Sequence, residues 1–189
     1  MAIIGTLLKN RRAGTTHLAW NQPSLAGPET LELASNAFDH EAAIPREHAG
    51  KRAQGKNLSP DLTWGEVPEG TAQLLLVIED VDAPTGKPFV HCVALIEPTL
   101  TGVDTGALSA QGPATGVRVL RSTMSRGYLG PEPIKGHGPH RYVFQVFALG
   151  DEVTATAGGV ELDKAKPRDV IAAAGPVLAR GRLDGEYER

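Results

Sequence analysis

The residues able to accept, hold or donate a proton cluster at the edges of apolar runs. Glu79-Asp80-Val81-Asp82-Ala83-Pro84 leaves the most apolar segment of the chain, Leu74 to Ile78. His91 stands near the start of a second run, Phe89 to Ile96, and His140 and Tyr142 open a third, Tyr142 to Leu149. Two imidazoles and a phenol can donate hydrogen bonds, and a neighbouring carboxylate orients a histidine and favours its charged form. That set suits an anion, with Asp80 supporting a histidine, since a bare carboxylate repels phosphate. A monoanionic phosphodiester or a ligand with a protonated amine relaxes that constraint.

Each of these residues also has a purely structural reading. Aspartates after a strand cap turns by accepting backbone N–H bonds. A single histidine on an apolar strand is commonly a satisfied core residue. What favours a shared site is position. His140 and Tyr142 are two residues apart and share a strand face, and the preceding Gly127 to Pro139 stretch, rich in Gly and Pro, can hold them in fixed positions. If Asp80 and His91 border the same sheet end, the four make one acceptor site.

The elements that must position them are mostly strands. Gln73 to Glu79 is too short for an ordinary helix and reads as a central strand, and the runs at 89–96 and 142–149 read as its neighbours. Thr30 to Ser35 alternates as a half-buried strand, and Leu62 and Trp64 alternate inward. Phe38 to Leu58 is a long polar excursion, Val117 to Leu120 a minor strand, Pro167 to Ala174 a helix stopped by Gly175, and Val177 to Tyr187 a closing strand. Residues 3 to 12 form a short amphipathic helix with Ile4, Leu7 and Leu8 on one side, expected to dock on the body or on a second copy. The 22 Gly and 14 Pro agree with a turn-rich, strand-rich chain. A chain of 189 residues accommodates a single domain spanning 1–189, with 1–29 as an extension packing on it or on a partner subunit.

Charge and cysteine content narrow the function. The formal net charge of −3 is mixed along the chain, with no basic field of the kind that captures nucleic acid. The lone cysteine, Cys92, has no partner for an internal disulfide; it follows His91 and is expected on the opposite sheet face, as an inert core thiol. The basic residues Lys9, Arg11 and Arg12 follow the N-terminal apolar run, the reverse of a secretory signal, and no run approaches membrane-spanning length, so the expected location is the cytoplasm.

In order along the chain, Asn57-Leu58-Ser59-Pro60-Asp61-Leu62-Thr63-Trp64, then Asp80-Val81-Asp82-Ala83-Pro84, then His91, then Gly127-Tyr128 through His140-Arg141-Tyr142 resemble the phosphatidylethanolamine-binding protein family, in its bacterial Raf-kinase-inhibitor-like form. The resemblance implies a mainly β fold: a Greek-key antiparallel β-sandwich with a few peripheral helices. It implies a non-enzymatic binding role, a small pocket for a phosphate-like anion or phospholipid headgroup, no cofactor, and modulation of a protein partner such as a kinase or protease. It also implies a homodimer. By position, the ligand-binding residues are Asp80, Asp82, His91, Pro133, His140 and Tyr142. The chain departs from the family pattern at Val81 and Ile134, where prolines are usual, and at Cys92, where tryptophan is usual.

Two enzymatic alternatives use the same cluster. A histidine/aspartate hydrolase lacks a Gly-x-Ser-x-Gly elbow, and Ser59, Ser122 and Ser125 carry no nucleophile signature. A zinc site would draw on His137 and His140, three apart, with Asp80, Asp82 and His91. The chain has no His-Glu-x-x-His pattern, so the sequence assigns neither catalytic residues nor a metal.

Overall fold

The computed structural model describes Ala2–Arg189, with side-chain packing from Gly5 onward. Ile4, expected to share a side with Leu7 and Leu8, lies outside the described side chains. The regular elements are α1 (Ala2–Leu8), β1 (Ala42–Ala43), β2 (Leu62–Thr63), β3 (Gln73–Asp80), β4 (Phe89–Ile96), β5 (Gly102–Val103), β6 (Val117–Val119), β7 (His140–Leu149), α2 (Pro167–Ala173) and β8 (Val177–Tyr187). The chain is mainly β. One six-stranded sheet runs β1-β8-β7-β3-β4-β6, and β2 and β5 form a separate two-stranded ladder. Every pairing in the large sheet is antiparallel except β1 with β8.

The apolar run of β3 is continuous because both faces of the sheet are covered. Leu74, Leu76 and Ile78 join Phe144, Val146, Leu62, Trp64 and Phe38 in one core. Leu75 and Val77 point the other way, into a second core with Phe147, Leu149, Leu25 and the α2 residues Val170 and Ile171. Substituting any of the completely buried leucines by alanine would cost about 2–5 kcal/mol.

Thr30 to Ser35 keeps the predicted alternation, with Leu31 and Leu33 buried, but forms only one ladder bridge, Ala34 with Thr63. The Leu31 N–H is donated elsewhere, to Arg180 O of the large sheet, so a regular strand cannot extend. Part of the 1–29 extension packs on the body: Leu18, Ala19 and Leu25 are fully buried. Glu79, also fully buried, ties this segment down. Its Oε2 accepts from the Ala19 N–H at 2.8 Å and from Gln145 Nε2 at 3.0 Å, while Oε1 pairs with Arg168 of α2 at 2.6 Å.

Candidate anion-binding site

The site forms where β3, β4 and β7 end together. Asp80 is opposite Tyr142 in the β3–β7 register and opposite Phe89 in the β3–β4 register. A β-bulge lies between Ile78 and Glu79: Ile78 pairs with Cys92 and Glu79 with Val90, which leaves His91 as the extra residue. An extra residue breaks the two-residue alternation. His91 therefore does not face away from Cys92 as strict alternation requires. Its ring meets Tyr142 edge-on at 5.0 Å, and Tyr142 belongs to the same core as Cys92. Cys92 is buried, and that burial pushes its thiol up to about 12.

The structure brings Asp80, His91, His140 and Tyr142 together, all at most 5% exposed. His140 Nδ1 is 2.7 Å from Asp80 Oδ2. His137, which the sequence singled out only as a metal candidate, completes the arrangement: its Nδ1 is 2.7 Å from His140 Nε2, and its Nε2 is 2.8 Å from Leu8 O and 3.2 Å from Arg11 O.

The carbonyls only accept, so His137 Nε2 carries a hydrogen. Both ring nitrogens of His137 and of His140 are thus engaged, by each other, by the Asp80 carboxylate and by the two carbonyls. Because their facing nitrogens are spent on each other, the two histidines do not converge on a metal. Among the described residues no group of three or more His, Cys, Asp or Glu is placed to hold one.

His91 plays a different part from the expected donor. Its Nδ1 is 2.6 Å from Leu129 O and donates there. Burial depresses its basicity, outweighing the nearby Asp80 charge, so the ring is neutral and Nε2 is an acceptor. The remaining donor is the Tyr142 hydroxyl. Burial, reinforced by Asp80, pushes that phenol well above its ordinary range, so it keeps its proton. Tyr142 Oη is buried without a hydrogen-bond partner among the described residues. A buried polar atom left in that state costs about 1–3 kcal/mol.

The other two expected site residues are placed differently. Asp82 is beside the cluster, with Oδ2 accepting from the Arg141 N–H at 2.8 Å and Oδ1 paired with Arg12 at 2.7 Å. Pro133 is buried in the segment between Leu129 and His137. That segment is anchored by close backbone approach: a Cβ on Gly130 would be 2.3 Å from His48 O, so only glycine fits. In the sequence Arg12 stands out only as one of the basic residues that follow the N-terminal apolar run. Nothing local marks it as a partner of Asp82.

Residues 34–188 match the family described as phosphatidylethanolamine-binding protein. The chain belongs to that family. Among relatives of this chain, an Aquifex aeolicus UPF0098 protein is 34% identical over 166 residues, covering 87% of this chain and 92% of the relative. A Mycobacterium tuberculosis relative that carries a lipoprotein name, LppC, is 34% identical over 163 residues, covering 85% of this chain and 73% of its own. The crystal structure of Escherichia coli YbcL, described as a member of the mammalian PEBP family, superposes with a TM-score of 0.73 at 30% identity, covering 85% of this chain and 99% of YbcL. No helix among the described residues is long and apolar enough to cross a membrane.

Proposed function

We propose that this family member is a non-catalytic binding protein whose ligand presents a phosphate-like monoanion, free or as a phospholipid headgroup, to Tyr142 and His91, with the Asp80–His140 pair supporting them. The observation that carries this reading is the orphaned Tyr142 hydroxyl, a buried donor beside a neutral histidine acceptor and the hydrogen-bonded Asp80–His140 pair. A donor next to an acceptor matches a ligand that brings both, such as a phosphate oxygen and a P–OH, better than it matches a fully deprotonated dianion. The hydrolase alternative needs a nucleophile. Ser59 accepts from the Leu108 N–H at 3.3 Å, and Ser122 and Ser125 face each other at 2.9 Å, so none is poised on the Asp80–His140 pair.

The test is a titration with inorganic phosphate and with O-phosphorylethanolamine, followed by NMR or calorimetry, on the unmodified chain, His91→Ala and His140→Ala. Saturable binding lost in both variants is expected. Binding of O-phosphorylethanolamine alone would assign the site to a headgroup, binding of both to the phosphate they share. Binding indifferent to both histidines would sink the proposal.

A further inference from the structure

The motif Asn57 to Trp64 contributes no residue to the site, yet its first side chain grips the segment behind His91. Asn57 takes a left-handed φ of +58°, which costs a non-glycine residue energy and which asparagine tolerates better than most. Its carboxamide spans Leu129: Nδ2 donates to Tyr128 O at 3.2 Å, and Oδ1 accepts from the Gly130 N–H at 2.8 Å. The backbone dictates this orientation of the amide, because a carbonyl only accepts and an N–H only donates.

The far side of the same two peptide units faces His91. The Leu129 N–H donates to His91 O at 2.9 Å, and Leu129 O accepts from His91 Nδ1 at 2.6 Å. In a trans peptide the C=O and the N–H point in opposite directions. The Tyr128–Leu129 unit is therefore held between Asn57 Nδ2 and the His91 carbonyl, and the Leu129–Gly130 unit between Asn57 Oδ1 and the His91 ring. Residues 128–131 belong to no strand or helix, so no ladder sets the plane of either unit. Tilting the second unit away from Asn57 takes its carbonyl off Nδ1. The neutral ring then has nothing to decide which nitrogen carries its hydrogen. With the hydrogen on Nδ1, Nε2 offers a lone pair; with it on Nε2, the ring offers a donor instead.

We propose that Asn57 is a positioning residue of the site: by orienting the Leu129–Gly130 peptide it keeps the His91 hydrogen on Nδ1 and Nε2 as an acceptor, and so selects an anion that carries its own hydrogen, such as the phosphate monoanion, over one that only accepts, such as sulfate. This rests on the reading of the site given above. Asn57 acts through that peptide, with no hydrogen bond of its own to His91.

The experiment reads the His91 ring nitrogens by nitrogen–proton correlation NMR and titrates inorganic phosphate and sulfate separately, at slightly acidic pH, in the unmodified chain and in Asn57→Gly. Glycine accepts the φ of +58°, so the change removes the carboxamide and leaves the backbone unstrained. In the unmodified chain the hydrogen is expected on Nδ1, with phosphate bound roughly tenfold more tightly than sulfate, the weight of one hydrogen bond made or missed. In Asn57→Gly a protonated Nε2 is expected to appear and the two anions to bind about equally. A residue that only braced the loop would lower the melting temperature and move neither readout. Should Asn57→Gly fold poorly, the unmodified chain still decides the tautomer, and Asn57→Asp, which keeps an acceptor for the Gly130 N–H, is expected to retain both the tautomer and the preference. A hydrogen on Nε2 of the unmodified chain, a folded Asn57→Gly with either readout unchanged, or an Asn57→Asp that loses either one overturns the positioning role, while phosphate binding still upholds the anion site. Binding of neither anion by any chain overturns the site and the selectivity together, and the ring signals alone then decide whether Asn57 holds His91.

Discussion

Tyr142→Phe removes one atom and separates a group kept for binding from one kept for stability. The hydroxyl is buried without a partner among the described residues, while the ring it rides on is packed edge-on against His91 at 5.0 Å and stacked 6.5 Å from His140. Phenylalanine keeps the ring contacts and deletes only the orphan. A buried unsatisfied donor costs about 1–3 kcal/mol. The ligand-free variant should therefore be more stable than the unmodified chain by about 1 kcal/mol, a rise of about 2–4 °C in melting temperature for a chain of this size. A hydrogen bond from that hydroxyl to a charged ligand contributes about 1.5–3 kcal/mol, so phosphate affinity should fall by roughly 10- to 100-fold. Calorimetric melting and phosphate titration on the same two preparations read both effects. A variant that melts lower than the unmodified chain, or binds phosphate equally well, would refute the assignment of Tyr142 as the ligand's donor.

Two further outcomes follow from burial. Burial raises the Glu79 carboxyl above its ordinary value, against the opposing pull of Arg168, Gln145 and the Ala19 N–H. Between the ordinary and the raised value the native state binds more protons than the unfolded chain, so this group's contribution to stability is lost as pH rises through that window. Urea unfolding of Glu79→Gln across mildly acidic pH should lack that downward component. Comparing the two chains isolates Glu79 from His91, whose depressed basicity acts in the opposite sense, and identical pH profiles would contradict the reasoning. For Cys92, burial pushes the thiol up to about 12, so iodoacetamide at mildly alkaline pH should label the native protein far more slowly than the urea-unfolded chain; comparable rates would show the residue to be accessible.

Much of the framework is legible because its causes are local. Continuous apolar runs give β3, β4 and β7, Pro167 starts α2 and Gly175 follows its end, and the alternation from Val177 gives β8 with the bounds expected. The spacing of His140 and Tyr142 is equally local, since two residues along a strand return to the same face. The spacing that brought out His137 and His140 is the same three residues that let their rings meet, but it does not distinguish a shared proton from a shared metal.

The sequence by itself therefore determined the long elements β3, β4, β7, α2 and β8 and which side chains stand at their ends, because propensity and periodicity act over a few residues. Tertiary structure alone decided three things. The bulge that turns His91 toward Tyr142 exists only in the pairing of β3 with β4. The neutral, acceptor state of His91 depends on burial and on a carbonyl 38 residues away. The anchoring of His137 depends on carbonyls 129 and 126 residues away, and the pairing of Asp82 on Arg12 reaching it. Contacts at such separations are fixed by how the whole chain packs, and no local pattern of residues encodes them.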